Sequence, residues 1–189
     1  FNARNTNRHF YLTRGQSSET IIKGITFKNG YADNWPGAGS IFLQNQTNIQ
    51  FIDCIWENNS TNGQEGGGAI LIRERSTPSF TGCTFKGNYI NNTNGTDRGG
   101  AINIQWPGSK ADMEAAIKFK KTKFENNYVK AKHNAQGGAI AIYHYQAVVE
   151  NNLFYDNYVY SALGSTSNQH ASGGAVYLYN PNYWDNNTQ

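Results

Sequence analysis

Apolar positions recur along this chain in a fixed order with elastic spacing. An aromatic is followed three residues later by Asn or Gly at Phe27–Gly30, Trp56–Asn59, Phe85–Asn88, Phe124–Asn127 and Phe154–Asn157. In alternation, a small-residue pair closes on a β-branched residue at Gly39-Ser40-Ile41, Gly68-Ala69-Ile70, Gly100-Ala101-Ile102, Gly138-Ala139-Ile140 and Gly174-Ala175-Val176. The aromatics are 29, 29, 39 and 30 residues apart, and the glycines 29, 32, 38 and 36. Constant signals at variable distance mark a stacked repeat with insertions at its corners.

With the aromatic as origin, the five repeats align column by column. Five residues earlier stand Ile22, Phe51, Phe80, Phe119 and Val149; two earlier stand Ile25, Cys54, Cys83, Thr122 and Asn152. These columns are mostly apolar and predict an inward face. The column Gly24, Asp53, Gly82, Lys121 and Asn151 between them is polar and predicts an outward one. Inward spacing of three and then two implies a bend between two short strands. After the glycines the alternation is strict. Ile41 and Leu43, Ile70 and Ile72, Ile102 and Ile104, Ile140 and Ile142, and Val176 and Leu178 are assigned inward, with Phe42, Leu71, Asn103, Ala141 and Tyr177 outward. No helical stripe competes with this pattern.

Identical residue types in each column want to stack at the ~4.8 Å spacing of neighbouring strands. The prediction is an all-β chain folded as a right-handed parallel β-helix of about five full coils, with partial coils at both ends. An Asn ladder of Asn59, Asn88, Asn127 and Asn157 would occupy one turn. Lys28, Glu57, Lys86, Glu125 and Tyr155 would stack as a column of alternating charge. Tyr31, Ser60, Tyr89, Tyr128 and Tyr158 would form a tyrosine ladder. A single domain over 1–189 is expected, with 1–8 as an N-terminal arm and 179–189 as an irregular tail.

The paired GGA-[ILV] and FxxN motifs resemble those of chlamydial polymorphic outer-membrane proteins and of the wider pectin-lyase-like β-helices, over about residues 10 to 180. The resemblance implies the right-handed β-helical fold. It leaves function open among adhesins, passengers, surface proteins and polysaccharide enzymes. The first repeat departs from the pattern, with Ala38-Gly39-Ser40-Ile41 and with Gly30 in place of Asn.

Composition narrows the picture. Charged residues make up 15% of the chain and the net charge is +3. A basic stretch of Lys118, Lys120, Lys121, Lys123, Lys130 and Lys132 reads as a solvated strand face, because Lys118 and Lys120 flank inward Phe119. No nucleic-acid motif accompanies it. No apolar run is long enough to span a membrane as a helix. The chain has neither an initiator Met nor a signal peptide, so it reads as a mature product or a fragment.

Six N-x-[ST] sequons occur, at Asn45, Asn58, Asn59, Asn91, Asn94 and Asn186. Asn59 belongs to the inward ladder, so the expected N-glycosylation sites are Asn45, Asn58, Asn91, Asn94 and Asn186, with Asn91 and Asn94 placed in a corner loop. Cys54 and Cys83 share a column in adjacent coils, about 5 Å apart, which permits either a disulfide or two buried thiols. Their spacing is not a metal motif.

An enzyme would need convergent carboxylates or a cation site. The six Asp are scattered, no two in one column of neighbouring coils. Asp53 and Glu57 lie near each other in sequence, but Glu57 belongs to the charge column. Paired-acid hydrolysis needs carboxyls about 5–9.5 Å apart. No catalytic residue, metal site or cofactor is therefore assigned. Arg73, Glu74 and Arg75 read as an exposed charged corner. Tyr177, Tyr179, Tyr183 and Trp184 make an aromatic C-terminal contact surface.

The expectation is a secreted or cell-surface structural solenoid. Copies would stack end to end, or the repeats would continue in a longer chain. A glycan-binding adhesin is the alternative, and a polysaccharide lyase or hydrolase fragment the third reading.

Overall fold

The computed structural model describes residues 1–63, 65–92, 95–106, 108, 116–161 and 170–179. It is a right-handed parallel β-helix. Each coil visits four sheets in turn. The first sheet stacks Phe10–Leu12, Ile41–Leu43, Ile70–Ile72, Ile102–Ile104, Ile140–Tyr143 and Val176–Tyr179. The second stacks Ile21–Lys23, Gln50–Ile52, Ser79–Thr81, Ala116–Lys120 and Gln146–Glu150. The third stacks Thr26–Lys28, Ile55–Glu57, Thr84–Lys86, Lys123–Glu125 and Leu153–Tyr155; the fourth stacks Tyr31–Ala32, Ser60–Thr61, Tyr89–Asn92, Tyr128–Ala131 and Tyr158–Ser161. A short fifth sheet of Asp97–Arg98, Ala135–Gln136 and Ala171–Ser172 bridges the fourth back to the first. Every pairing is parallel, and the registers follow the sequence columns: Trp56 pairs with Phe27 and Phe85, and Phe80 with Phe51 and Phe119.

The core is two files of stacked rings. In one, Trp56–Phe85, Phe85–Phe124 and Phe124–Phe154 centroids lie 4.6, 5.0 and 4.9 Å apart within 5° of parallel. In the other, Phe51–Phe80 and Phe80–Phe119 are both 5.2 Å apart. The files meet edge-on, as at Phe80–Phe85, 5.7 Å and 69°. Isoleucines of the first sheet close the third side. Offset parallel and edge-to-face rings are the arrangements the aromatic quadrupole favours.

The corners explain the spacing of the inward columns. Gly24, Asp53, Gly82, Lys121 and Asn151 all have left-handed φ, between 51° and 68°. One left-handed residue breaks the strand between the second and third sheets, turning a two-residue period into three. The GG pair has a different cause. A Cβ on Gly68, Gly100 or Gly138 would lie 1.9–2.0 Å from the carbonyl oxygen of the matching glycine one coil on. The coils approach so closely there that only hydrogen fits.

One assignment from the sequence is corrected, that of residues 1–8, and two are refined. Phe42, Leu71, Asn103 and Ala141 point away from the core but are fully buried. The segments before the next glycine pair fold back over the outer face of the first sheet: Ala38 packs with Phe42 and Leu71, and Asn103 Nδ2 donates to Glu65 O at 3.0 Å. Residues 1–8 are no detached arm. Ala3 N donates to Lys28 O, Asn5 N to Asn29 O and Tyr31 N to Asn7 O, while the Phe1 ring stacks 5.9 Å from Phe27. They form part of a preceding coil. Val149 and Leu178, assigned inward, are exposed, because each stands on the last described strand of its sheet.

Candidate functional site

The Asn ladder is the most completely satisfied polar feature. Asn88 Nδ2 donates to Asn127 Oδ1 at 2.9 Å and to Trp56 O at 2.9 Å. Asn88 Oδ1 accepts from Asn59 Nδ2 at 2.9 Å and from the Asn59 backbone N–H at 3.0 Å. Asn59 and Asn127 repeat the pattern, and Asn157 Nδ2 reaches Phe124 O at 2.9 Å. Two donors and two acceptor sites are thus filled on each central amide, so burial leaves nothing unpaired. At the lower end Gly30 supplies only its N–H, 2.8 Å from Asn59 Oδ1.

A second ladder was not recognised from the sequence. The column read as roughly apolar is a column of donors. Cys54 Sγ points at Ile22 O at 3.4 Å, Cys83 Sγ at Phe51 O at 3.5 Å, Thr122 Oγ1 at Phe80 O at 3.3 Å and Asn152 Nδ2 at Phe119 O at 2.8 Å. Each reaches the carbonyl of the inward residue one coil below, as the Asn ladder does. Cys, Thr and Asn share the ability to donate, which is the signal the column carries. Both cysteines are free and buried. Contact with the Cys54 thiol, together with burial, raises the Cys83 pKa, keeping that thiol protonated.

The charge column has the expected register, Lys28 opposite Glu57, Glu57 opposite Lys86, and Lys86 opposite Glu125. Among the described residues the closest ion pair, however, runs along one strand: Lys123 Nζ lies 2.7 Å from Glu125 Oε2. That hydrogen bond holds the Glu125 carboxyl below its ordinary pKa, with Lys86 a smaller contributor. The tyrosine ladder stacks as expected, with Tyr89–Tyr128 and Tyr128–Tyr158 rings 5.0 Å apart.

Of the sequons, Asn45, Asn58 and Asn91 are exposed and Asn59 is buried. Asn58 occupies a left-handed corner, φ 54°, and Asn45 another, φ 57°. Asn91 lies on the strand Tyr89–Asn92 opposite Lys130 and not in a corner loop. Asn94 and Asn186 lie outside the described residues, as do Tyr183 and Trp184 of the aromatic end. The other two members of that surface are described: Tyr179 is exposed, and Tyr177 is half-buried 5.6 Å from Tyr143.

The corner after the first sheet carries a groove of about 670 Å³ along the coil axis, lined among others by Arg14, Asn45, Arg73, Glu74, Arg75 and Trp106. The Arg73 guanidinium lies 5.4 Å from the Trp35 ring and 5.7 Å from the Trp106 ring. Arg73 Nη1 is 3.7 Å from Glu65 Oε2, which also faces Trp35 Nε1 at 3.5 Å. Trp35 and Trp106 are each 59% exposed. The Arg73-Glu74-Arg75 corner is therefore one wall of a concave surface that Trp106 of another coil also lines, which the sequence reading missed.

Elsewhere, Asp97 is fully buried. Asn92 Nδ2 donates to its Oδ1 at 3.2 Å and its Oδ2 makes no hydrogen bond. Burial pushes its pKa up to about 6. Among the described residues no three His, Cys, Asp or Glu side chains converge as a metal site. No helix there is long and apolar enough to cross a membrane. No family model, no curated protein and no solved structure matches this chain.

Proposed function

We propose that this chain is a rigid structural β-solenoid of the extracellular space, N-glycosylated on its flanks, serving as a filament subunit or a surface and adhesive module. The observation that carries the reading is the continuity of the Asn ladder. From Asn59 to Asn157 one amide bonds the next without interruption. A stack held by backbone ladders, ring files and two side-chain donor columns resists bending and local opening. That is the property a load-bearing or spacing element needs.

Two further features support it. The exposed sequon residues Asn45, Asn58 and Asn91 are open to a glycan. The last described strands leave the inward-column residues Val149 and Leu178 open to solvent, an edge that suits another coil, whether of a second copy or of the same chain. The repeat motifs resemble those of surface-exposed bacterial β-helices, in keeping with this role.

The test is intact mass before and after glycosidase treatment of protein from a eukaryotic secretory host, with glycan-array and polyuronate-cleavage assays on the same sample. The expected result is a mass excess removed by the glycosidase, with neither array binding nor cleavage. Unmodified mass would remove the glycoprotein element. Array binding by a monomer would favour an adhesin, and cleavage an enzyme.

A further inference from the structure

The groove beside Arg73 has an occupant within covalent reach. Asn45 lines it and heads the sequon Asn45-Gln46-Thr47. Corner backbones link it to Trp106: Gln46 N donates to Glu74 O at 2.9 Å, and Glu74 N to Trp106 O at 2.7 Å. Trp106 is therefore two coils above, about 10 Å along the axis at the spacing of paired strands. The Trp106 indole is mostly exposed, and guanidinium and carboxylate groups of Arg73, Arg75 and Glu74 line the same walls. An apolar plate ringed by donors and acceptors matches a pyranose, which has an apolar C–H face and a polar rim.

We propose that the groove is the seat of the chain's own glycan on Asn45: the first sugars lie along the corner and one stacks on Trp106. The attachment is the ordinary one: a C–N bond forms between Asn45 Nδ2 and the first sugar as that sugar's C–O bond to the pyrophosphate of the lipid-linked donor breaks, and the one Nδ2 proton lost is taken up by the departing pyrophosphate. The Thr47 hydroxyl is buried and donates to Gln44 O at 2.7 Å, so the transfer precedes folding of this corner. The remaining Asn45 N–H still serves the bond to Thr13 O, 3.1 Å away. The glycan on Asn58 has no such plate among its described neighbours and extends into solvent. The groove thereby converts one flexible glycan into a fixed strut spanning three coils.

The inference rests on the glycoprotein reading. The experiment is site-resolved glycopeptide mass spectrometry of the folded protein during timed endoglycosidase digestion, on wild type and Trp106→Ala, with circular dichroism confirming that both are folded. Release from Asn45 is expected to be about fivefold to tenfold slower than from Asn58, the factor one aromatic contact supports. In Trp106→Ala the two rates should converge. Trp106→Phe, which keeps an aromatic face, should retain most of the delay. Glycan on Asn58 or Asn91 with none on Asn45, or equal release from Asn45 and Asn58 in wild type, would overturn the inference alone. Absence of glycan at every sequon would overturn the glycoprotein reading with it.

Discussion

Asn88 and Asn127 are 39 residues apart in sequence, yet the Nδ2 of one lies 2.9 Å from the Oδ1 of the other. That bond bridges the longest sequence interval between neighbouring ladder residues and leaves the ladder unbroken. The corner keeps its register across that interval.

Asn88→Ala removes four hydrogen bonds in a dry corner and strands donors on Asn59. It should cost about 3 kcal/mol, from the penalty of unsatisfied buried groups. Asn157→Ala, at the half-buried upper end, should cost less than half as much. Urea unfolding midpoints of both variants decide this. Equal losses would mean that the ladder does not act as a satisfied chain.

The donor column predicts how Cys83 can be replaced. Cys83→Thr keeps a donor for Phe51 O and copies Thr122 one coil on, so it should stay within about 1 kcal/mol of wild type. Cys83→Val, similar in volume but without a donor, should lose about 1 kcal/mol more than Cys83→Thr. Without reductant, both cysteines should resist alkylation when folded and react fully once unfolded. A protein that accepts no alkylation after unfolding carries the disulfide instead.

Asp97 makes stability depend on pH with an unusual sign. Its folded pKa, about 6, stands above the ordinary unfolded value. The folded state therefore binds the proton more tightly. The contribution is full below the unfolded pKa of about 3.9 and is lost as pH rises through about 6, a difference of order 2–3 kcal/mol. Asp97→Asn should flatten this fall, so the variant's stability relative to wild type should improve between pH 4 and pH 8. A relative stability independent of pH would contradict the assignment.

Two glycines should behave oppositely. A side chain on Gly100 would meet the Gly138 carbonyl oxygen at 2.0 Å, whereas nothing lies within 4 Å of the Cβ position at Gly24. Gly100→Ala should cost more than about 3 kcal/mol, as severe backbone overpacking does. Gly24→Asn, at φ 68° in a column that already accepts Asp53, Lys121 and Asn151, should be within about 1 kcal/mol of neutral. Thermal melts of the two variants measure the contrast.

Much of this architecture was visible in one sequence because a solenoid writes each contact several times. Phe85 above Trp56 and Tyr128 above Tyr89 follow from column alignment alone. What could not be read occurs once. Alternation shows that Phe42 and Leu71 face away from the core, but the cover over them comes from irregular segments such as the one containing Ala38. Trp35, Arg73 and Trp106 meet across coils with no repeating signal to join them. The donor column was misread because Ile25 begins it and Cys counts as apolar, so the hydrogen-bonding capacity shared by Cys54, Cys83, Thr122 and Asn152 was hidden by a hydrophobicity label.

The central claim is that this stack works as a rod whose edge receives another coil. Electron microscopy of the purified protein over a range of concentrations tests it most directly. The account predicts straight rods of uniform width whose length grows with concentration in steps of one protomer. Monodisperse particles one protomer long at every concentration would contradict it.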